Sequence, residues 1–248
     1  MVGGKGKKSA EVIKSRSDDL GLIGSDKRVC QDTGERKQTM NKRKKTNILI
    51  GGKKTAVFYE GNLDIIKDYP VIGVLASGKA PGPVVWESYQ FFYALRDEPI
   101  TLAGGWHSPL EKGILDALVE GNVNVVFFMA KGLKASGFQQ KFKALDKTAR
   151  ALMISPFPDS VKKISGTEGT RLRNTLLAAA SDVLFIPYIK PRGKLFSMLK
   201  GDDSLLNKTF ILNHPENDAC SLKVRRIESS DAHTLIHNCH EAYRRRSA

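Results

Sequence analysis

Two features of the sequence predict an α/β fold built on a mostly parallel sheet. Short, unbroken apolar runs rich in β-branched residues alternate with amphipathic segments along the chain. Strands of this kind are buried on both faces, so helices must cover both sides of the sheet. The sequence therefore predicts a Rossmann-like, doubly wound domain.

The strand pattern begins with "NILI" at Asn47 and "AVFYEGN" at Ala56 and continues with six further runs. These six strands are predicted at residues 71–76, 100–103, 123–129, 151–154, 182–187 and 209–212. Helices are predicted between them at residues 85–97, 109–120, 138–148, 168–180 and 194–200. A further helix is expected at the C-terminus. The domain is thus predicted to span residues 46–248.

Residues 1–45 have a different composition, rich in Lys, Ser, Gly and Asp and without an aromatic residue. Such a segment buries too little apolar area to offset its ordering entropy, so it is predicted to be a disordered basic extension. Met40, just before the basic run "NKRKK", is an alternative start of the functional chain.

The net charge of +14 points to a polyanionic partner, with nucleic acid as the first class to consider. Residues 1–45 hold 13 Lys and Arg and 6 Asp and Glu, a net charge of +7, so the rest of the chain carries the other +7. The basic extension alone does not explain the excess.

The cysteines and the hydropathy pattern indicate a reduced, cytoplasmic protein. The three cysteines, Cys30, Cys220 and Cys239, are far apart and odd in number, which favours free thiols over a disulfide framework or a CxxC metal site. The sequence contains no apolar run of membrane-spanning length and no secretory signal pattern, so no membrane partner is expected.

Ligands of doubly wound sheets bind beyond the carboxyl ends of the strands. This rule selects the loops at residues 77–83, 104–109, 130–136 and 188–194. Each holds glycine or small residues, and three hold Lys or Arg. The third of these loops contributes Lys131.

The stretch "LAGGWHSPLEKGILDAL" combines a helix start with paired glycines. Ser108 is a predicted N-cap, Pro109 the first helical residue, and Glu111 the partner that completes a capping box. Gly104 and Gly105 permit positive φ and a close approach of a ligand to amide donors at the helix N-terminus. Phosphate binding and plain packing both remain open for this turn. His107 is either an acid–base group or a surface histidine.

The stretch "ASGKAPG" after residues 71–76 offers a second phosphate site. Ser77, Gly78 and Lys79 are its candidate residues, yet neither a GxGxxG nor a Walker A pattern is present. A dinucleotide cofactor is therefore disfavoured, and no cofactor is predicted.

Basic residues flank the helix predicted at residues 168–180. Arg171 and Arg173 stand near its N-terminus, where the helix dipole disfavours cations, and Lys190, Arg192 and Lys194 lie in the loop after the next strand. Guanidinium groups at this edge suit phosphate oxygens, whereas the alternative is a solvated basic face.

Histidines at positions 233, 237 and 240 have a spacing that zinc sites also use. No glutamate follows His233 as HExxH chemistry requires, and Leu235, Ile236 and Cys239 fit a packing face. No metal site is predicted. The run Arg244 to Arg246 is interpreted as a solvated tail or a phosphate contact.

Several motifs together resemble the DNA-processing protein A family (DprA, also called Smf). They are "FYEGN", "GGWHSPLEKGILDAL", "ALMISPFP", "RLRNTLLAAASDVLF" and "KPRGK", spread over about residues 56–213. The resemblance implies a Rossmann-like fold of the SLOG kind, no catalysis, and single-stranded DNA binding along a basic pocket, as a homodimer. It also implies a role in DNA processing, uptake or recombination, with a RecA-type recombinase as a partner.

By position, the resemblance assigns the glycine turn to Gly104 and Gly105 and the pocket arginine and asparagine to Arg173 and Asn174. Arg192, Gly193 and Lys194 form the loop after the following strand. The family's Gly-Ser-Arg appears here as Ser77-Gly78-Lys79 after Ala76, the family's Gly-Ile-Asp pattern is absent, and no winged-helix domain is expected after the core. These departures make recombinase loading less secure than DNA binding.

The candidate DNA- and phosphate-binding residues are therefore Ser77, Gly78, Lys79, Gly104, Gly105, Trp106, His107, Ser108, Lys131, Arg171, Arg173, Asn174, Lys190, Arg192, Gly193 and Lys194. Trp106 and Phe138 are candidates for stacking on bases, with core packing as the alternative for both.

Two other functions stay open. Related SLOG proteins bind nucleotides or nucleotide-derived signals, and some hydrolyse nucleoside monophosphates with a PGGxGTxxE motif. The nearest match, around Glu168 in "SGTEGTRLRN", lacks the proline-glycine lead, so hydrolysis is not predicted. The other alternative is an accessory scaffold of a mobile element that makes contacts through its basic tail.

Overall fold

The computed structural model describes residues 44–50, 53–164 and 167–248 of the 248-residue chain. The predicted disordered extension lies outside these residues, except that Lys44 and Lys45 begin the first strand. Met40 lies outside them as well.

Nine strands of the described residues form a single sheet in the order β1-β2-β6-β5-β4-β3-β7-β8-β9. They are β1 (Lys44–Ile50), β2 (Lys53–Gly61), β3 (Val71–Val74), β4 (Thr101–Gly104), β5 (Asn124–Phe128), β6 (Ala151–Ser155), β7 (Val183–Ile186), β8 (Thr209–Leu212) and β9 (Arg225–Ile227). Strands β3 to β9 are parallel to one another, and β1 and β2 pair antiparallel at one edge. The predicted mostly parallel sheet is confirmed.

Helices cover both faces of this sheet, as predicted. They are α1 (Gly82–Leu95), α2 (Pro109–Val119), α3 (Gln139–Asp146), α4 (Glu168–Ala180), α5 (Lys194–Lys200), α6 (Asp203–Asn207) and α7 (Ala232–Ser247), with short 3-10 turns at Leu63–Ile66, Leu133–Ala135 and Pro215–Asn217. One apolar core lies between the sheet and α1, α2, α3 and α7. The second lies between the opposite face and α4 and α5.

The chain reverses its direction across the sheet at β3. Strands β4, β5 and β6 extend to one side of β3, and β7, β8 and β9 extend to the other. In a doubly wound sheet this switch point opens a crevice beyond the carboxyl ends of the two central strands. Here those strands are β3 and β7, so the loops that follow them occupy the expected ligand position.

The hairpin of β1 and β2 extends beyond the carboxyl ends of the parallel strands. Strand β2 pairs with β6 only from Phe58 to Gly61, and Phe58 already lies opposite Ser155, the last residue of β6. The five residues 53–57 therefore project past the carboxyl end of β6 by about 17 Å, at a rise near 3.3 Å per residue. Strand β1 packs against α4.

The sequence did not predict β9 and α6. Strand β9 has three residues, two of them exposed arginines, so it lacks an apolar run. Its Arg225 guanidinium lies over the Phe210 ring, 3.8 Å from the ring centroid, and covers an apolar surface at the sheet edge with a charged side chain. Helix α6 has only five residues, too few for a periodic pattern.

Helix α7 confirms the predicted C-terminal helix and is tied to the start of β7. Arg246 Nε lies 3.2 Å from Asp182 Oδ1, and Asp182 Oδ2 accepts a 2.8 Å hydrogen bond from the backbone N–H of Val71. Arg246 thus has a structural partner. His237 Nε2 lies 3.4 Å from Glu241 Oε1.

Groups of three or more His, Cys, Asp or Glu suited to a metal ion are not found within the described ranges. In the same ranges, no helix combines the length and apolar character needed to cross a bilayer.

Candidate functional site

The loops after β3 and β7 are joined at the switch point. The backbone N–H of Ser77 donates to the carbonyl of Tyr188 over 2.9 Å, and Ser77 Oγ accepts a 2.9 Å hydrogen bond from the backbone N–H of Lys190. Ser77 therefore serves the loop geometry with both its backbone and its side chain. The bonds bring the segments that carry Lys79 and Lys190, both exposed, into one surface.

The turn after β4 is organised by the buried carboxylate of Glu111. Its Oε2 accepts hydrogen bonds from the backbone N–H groups of His107 and Ser108, each 2.9 Å long, and Ser108 Oγ accepts one from the backbone N–H of Glu111 over 3.1 Å. This arrangement confirms the predicted capping box. The second oxygen, Oε1, accepts a 3.3 Å hydrogen bond from the backbone N–H of Ala76. One carboxylate thus connects the loop after β3 with the start of α2.

The paired glycines make room for two large side chains. A Cβ on Gly104 would lie 2.7 Å from the Trp106 ring, and a Cβ on Gly105 would lie 2.5 Å from Arg173 Cζ. Neither glycine has the positive φ that the sequence analysis considered; in this turn Trp106 has it, at 55°. Close packing, and not backbone conformation, explains why both positions lack a side chain.

Trp106 is a core residue and not a stacking platform. Its side chain is fully buried, and its Nε1 donates to the carbonyl of Val126 over 3.0 Å. The assignment of Trp106 to the binding surface is therefore wrong, because a base cannot reach the ring. Phe138 is also buried, with its ring centroid 5.6 Å from that of His107.

Arg173 lies near the carboxyl ends of the strands, where its guanidinium packs against Gly105. Its Nε and Nη2 donate to Asn174 Oδ1 over 3.1 and 2.8 Å. Burial lowers the pKa of the guanidinium, and the nearby charge of Glu111 acts in the opposite direction. Within the described ranges Nη1 has no hydrogen-bond partner and is not fully buried, although Arg173 as a whole is only 7% exposed.

A cluster of cations surrounds His107. Partial burial and the charges of Arg173, Lys131 and Lys112 lower the pKa of this histidine to about 4. The ring is therefore neutral at physiological pH, although part of it is exposed. Burial is the largest cause of the low pKa, and the three cations add to it, so their positive charges lie near this turn, where they would attract phosphate.

A groove opens between α4 and the helices α5 and α6, and we call it the α4–α5 groove. It has a volume of about 890 Å³ and is lined by Arg171, Asn174 and Ala178 on one side and by Lys194, Met198 and Leu205 on the other. Arg192, in the loop before α5, also lines it, and we call the end near Arg171, Arg192 and Lys194 its mouth. Arg171, Arg192 and Lys194 are all exposed, and no carboxylate within the described ranges forms an ion pair with any of them.

Asn174 connects the turn to this groove. Its Oδ1 holds the Arg173 guanidinium while its side chain lines the groove beside Arg171 and Lys194. Gly104, Arg173 and Lys194 therefore lie on one continuous edge. Gly78 has open space where a Cβ would be, and Lys79 in the same loop does not line the groove.

Sequence reasoning missed two residues at the carboxyl ends of the strands, Lys112 and Asn217, and gave Glu111 only part of its role. Glu111 was predicted as a cap but not as a bridge to Ala76, and Lys112 was not considered. Asn217 is fully buried, donates through Nδ2 to the carbonyls of Pro187 and Leu212, and accepts through Oδ1 from the backbone N–H of Ile189. It fixes the loop after β7, but the local sequence "PENDAC" gives no sign of that distant contact.

Comparison with solved structures identifies the fold. The structure is similar to DNA processing protein A from Helicobacter pylori, with a TM-score of 0.64, 13% sequence identity, and coverage of 82% of this chain and 98% of that chain. It is also similar to DNA processing protein A (DprA) from Streptococcus pneumoniae, with a TM-score of 0.59, 14% identity, and coverage of 72% of this chain and 65% of that one. The fold is that of DNA processing protein A.

The DprA-like fold confirms the fold that the sequence motifs implied. The Helicobacter DprA is described as having a unique single-stranded DNA binding mode. No family model matches the present chain, and no curated protein matches it either. At 13–14% identity the likeness establishes the architecture alone.

Replacing Glu111 with Ala tests the bridging carboxylate. The variant leaves three backbone N–H groups without their acceptor, so we expect the free energy of unfolding to fall by about 3 kcal/mol in urea denaturation. Glu120→Ala, an exposed glutamate at the other end of α2, is the control and should stay within about 0.5 kcal/mol of the wild type. Equal losses for the two variants would refute the bridging role.

Replacing His107 with Gln tests the lowered pKa of this histidine. The unfolded chain binds a proton at His107 near pH 6.5, but the native chain does so only near pH 4, so wild-type stability declines as the pH falls through this interval. His107→Gln removes this part of the decline, which we expect to see in urea midpoints at pH 7.5 and at about pH 5. The exposed His233→Gln serves as the control. A His107→Gln profile that parallels the wild type would contradict the assignment.

Proposed function

We propose that the chain binds single-stranded DNA along the carboxyl edge of its sheet without catalysing a reaction on it. The observation that carries the proposal is the Arg173 guanidinium, which is fixed over Gly105 by Asn174 and whose Nη1 has no hydrogen-bond partner among the described residues. A guanidinium held in one orientation loses little conformational freedom when it binds a phosphate.

Cations on both sides of Arg173 support a polymeric ligand. Lys131 and Lys112 lie on the His107 side, and Arg171, Arg192 and Lys194 surround the mouth of the α4–α5 groove. A single phosphate engages only one such group of cations, whereas a DNA strand presents a phosphate at each nucleotide. The net charge of +14 favours the same partner, since long-range attraction raises the encounter rate with polyanions.

The choice of single-stranded DNA is supported by the structural likeness to the Helicobacter DprA, which is described as binding that form. The absence of a catalytic step is supported by the state of Glu111. This carboxylate is 3% exposed and already accepts three backbone hydrogen bonds, so it is committed to holding the turn.

The likeness to the two DprA structures also supports a proposal for the biological role of the chain. We propose that the chain acts in the cytoplasm in DNA processing, uptake or recombination, as a homodimer and with a RecA-type recombinase as a partner. The DprA-like fold is the support for these assignments.

Charge-neutralising variants at the groove mouth test the DNA interface. In fluorescence anisotropy with a labelled oligothymidylate, the triple variant Arg171→Gln, Arg192→Gln, Lys194→Gln should bind at least about tenfold more weakly. The slope of log affinity against log salt, measured between about 50 and 200 mM, should become shallower by about 2, since each lost phosphate contact contributes roughly 0.7.

A matched triple variant controls for net charge. Lys200→Gln, Lys223→Gln, Arg244→Gln removes three exposed cations that lie towards the amino ends of the strands, and it should keep most of the affinity. Equal losses for the two triple variants would show that only overall charge matters. Loss of binding on removal of residues 1–39, together with unchanged binding by Arg173→Ala, would place the interface in the N-terminal extension and overturn the proposal.

A further inference from the structure

The two ends of the α4–α5 groove differ in their free charge. At its mouth, the cations Arg171, Arg192 and Lys194 are unpaired by carboxylates of the described residues. At its far end, the charged groups already have partners within the fold. The groove therefore offers free positive charge at one end only.

Lys208 and Asp202 make up that far end. Lys208 Nζ donates to the carbonyls of Ala178 and Ser181 over 2.6 and 2.8 Å, which satisfies carbonyls at the C-terminus of α4. Asp202 Oδ1 accepts hydrogen bonds from the backbone N–H groups of Ser204 and Leu205 at the start of α6. A phosphate has no free cation there, and the charge of Asp202 repels it.

The part of the groove next to this far end is lined by apolar side chains, and those on α4 are small. Ala178 and Ala179 line the α4 side, and Met198 and Leu205 face them from α5 and α6. The alanines lie about two turns of helix, or about 11 Å, from Arg171. Flat aromatic rings pack well against methionine and leucine, and the small alanines leave the space for them.

This sequence of chemical groups matches a nucleotide of a DNA strand. The cations at the mouth suit a phosphate, and the apolar stretch suits a base. The polar side chains of Asn174, Thr175 and Ser197 also line the groove. Two hydroxyls there already donate within their helices, Thr175 to the carbonyl of Arg171 and Ser197 to that of Gly193. Their oxygens remain as acceptors for N–H groups on a base, including the N3–H of thymine.

We propose that the α4–α5 groove is a base-binding compartment, in which bases of the bound strand insert between α4 and α5 while their phosphates stay at the cationic mouth. The inference rests on the proposed function, because the ligand is the same single strand. It adds that the chain recognises bases as well as phosphates, and that the site lies between two helices and below the edge of the sheet.

An oligomer without bases separates the two contributions. We would measure the affinity of the full chain for an oligothymidylate and for an abasic oligomer of equal length, which has the same phosphates. The wild type should prefer the base-containing strand by about tenfold, a ratio typical of one or more buried bases.

Filling the groove should remove that preference. Ala179 is exposed and lines the groove, so Ala179→Phe occupies the base position without disturbing the core. We expect this variant to bind both oligomers with the affinity of the wild type for the abasic one. Ala94→Phe, at an exposed alanine on α1 across the sheet, is the matched control and should keep the preference. Ser197→Phe fills the groove from the α5 side and should repeat the effect of Ala179→Phe.

The outcomes distinguish the inference from the proposed function. Equal wild-type affinity for the two oligomers, or an Ala179→Phe variant that retains the preference, would overturn the base-binding compartment and leave phosphate binding at the edge intact. A wild type that binds neither oligomer would overturn the proposed function itself.

Discussion

The buried carboxylate of Glu111 is the interaction on which the carboxyl edge of the sheet depends. It accepts backbone hydrogen bonds from two residues of the β4–α2 turn and from Ala76 in the loop after β3. Its negative charge also favours the charged state of the nearby Arg173. Without this anion, three amide donors would lose their acceptor and the buried Arg173 guanidinium would lose its nearby negative charge, at a cost typical of unpaired buried groups.

The edge combines rigid and accessible cations. Arg173 is held by Asn174 and by contact with Gly105, whereas Arg171, Arg192 and Lys194 extend from the mouth of the α4–α5 groove into solvent. The held guanidinium gives direction to an anion contact, and the extended side chains give adaptable contacts to a flexible strand. The loops after β3 and β7 are joined through the hydrogen bonds of Ser77 to Tyr188 and Lys190, so these two loops form one surface.

Local chemistry was predictable from the sequence, and distant contacts were not. Ser108 and Glu111 stand three residues apart, so their capping box follows from spacing alone. The bond from Ala76 joins residues 35 positions apart, and the burial of Trp106 depends on the space left by Gly104. The groove arises where α4 meets α5 and α6, and α6 is too short to show a pattern. Strand runs, by contrast, were long enough to reveal the sheet.

The most direct test of this account is the affinity of Gly105→Ala for single-stranded DNA. The added Cβ would stand 2.5 Å from Arg173 Cζ and would push the guanidinium away from Asn174, while the φ of Gly105 is one that alanine adopts. We expect binding to weaken by about tenfold, as for the loss of one charge-assisted hydrogen bond. Gly137→Ala, at an exposed glycine with open space around it, should bind as the wild type does. Unchanged affinity of Gly105→Ala would contradict the placement of Arg173 at the centre of the interface.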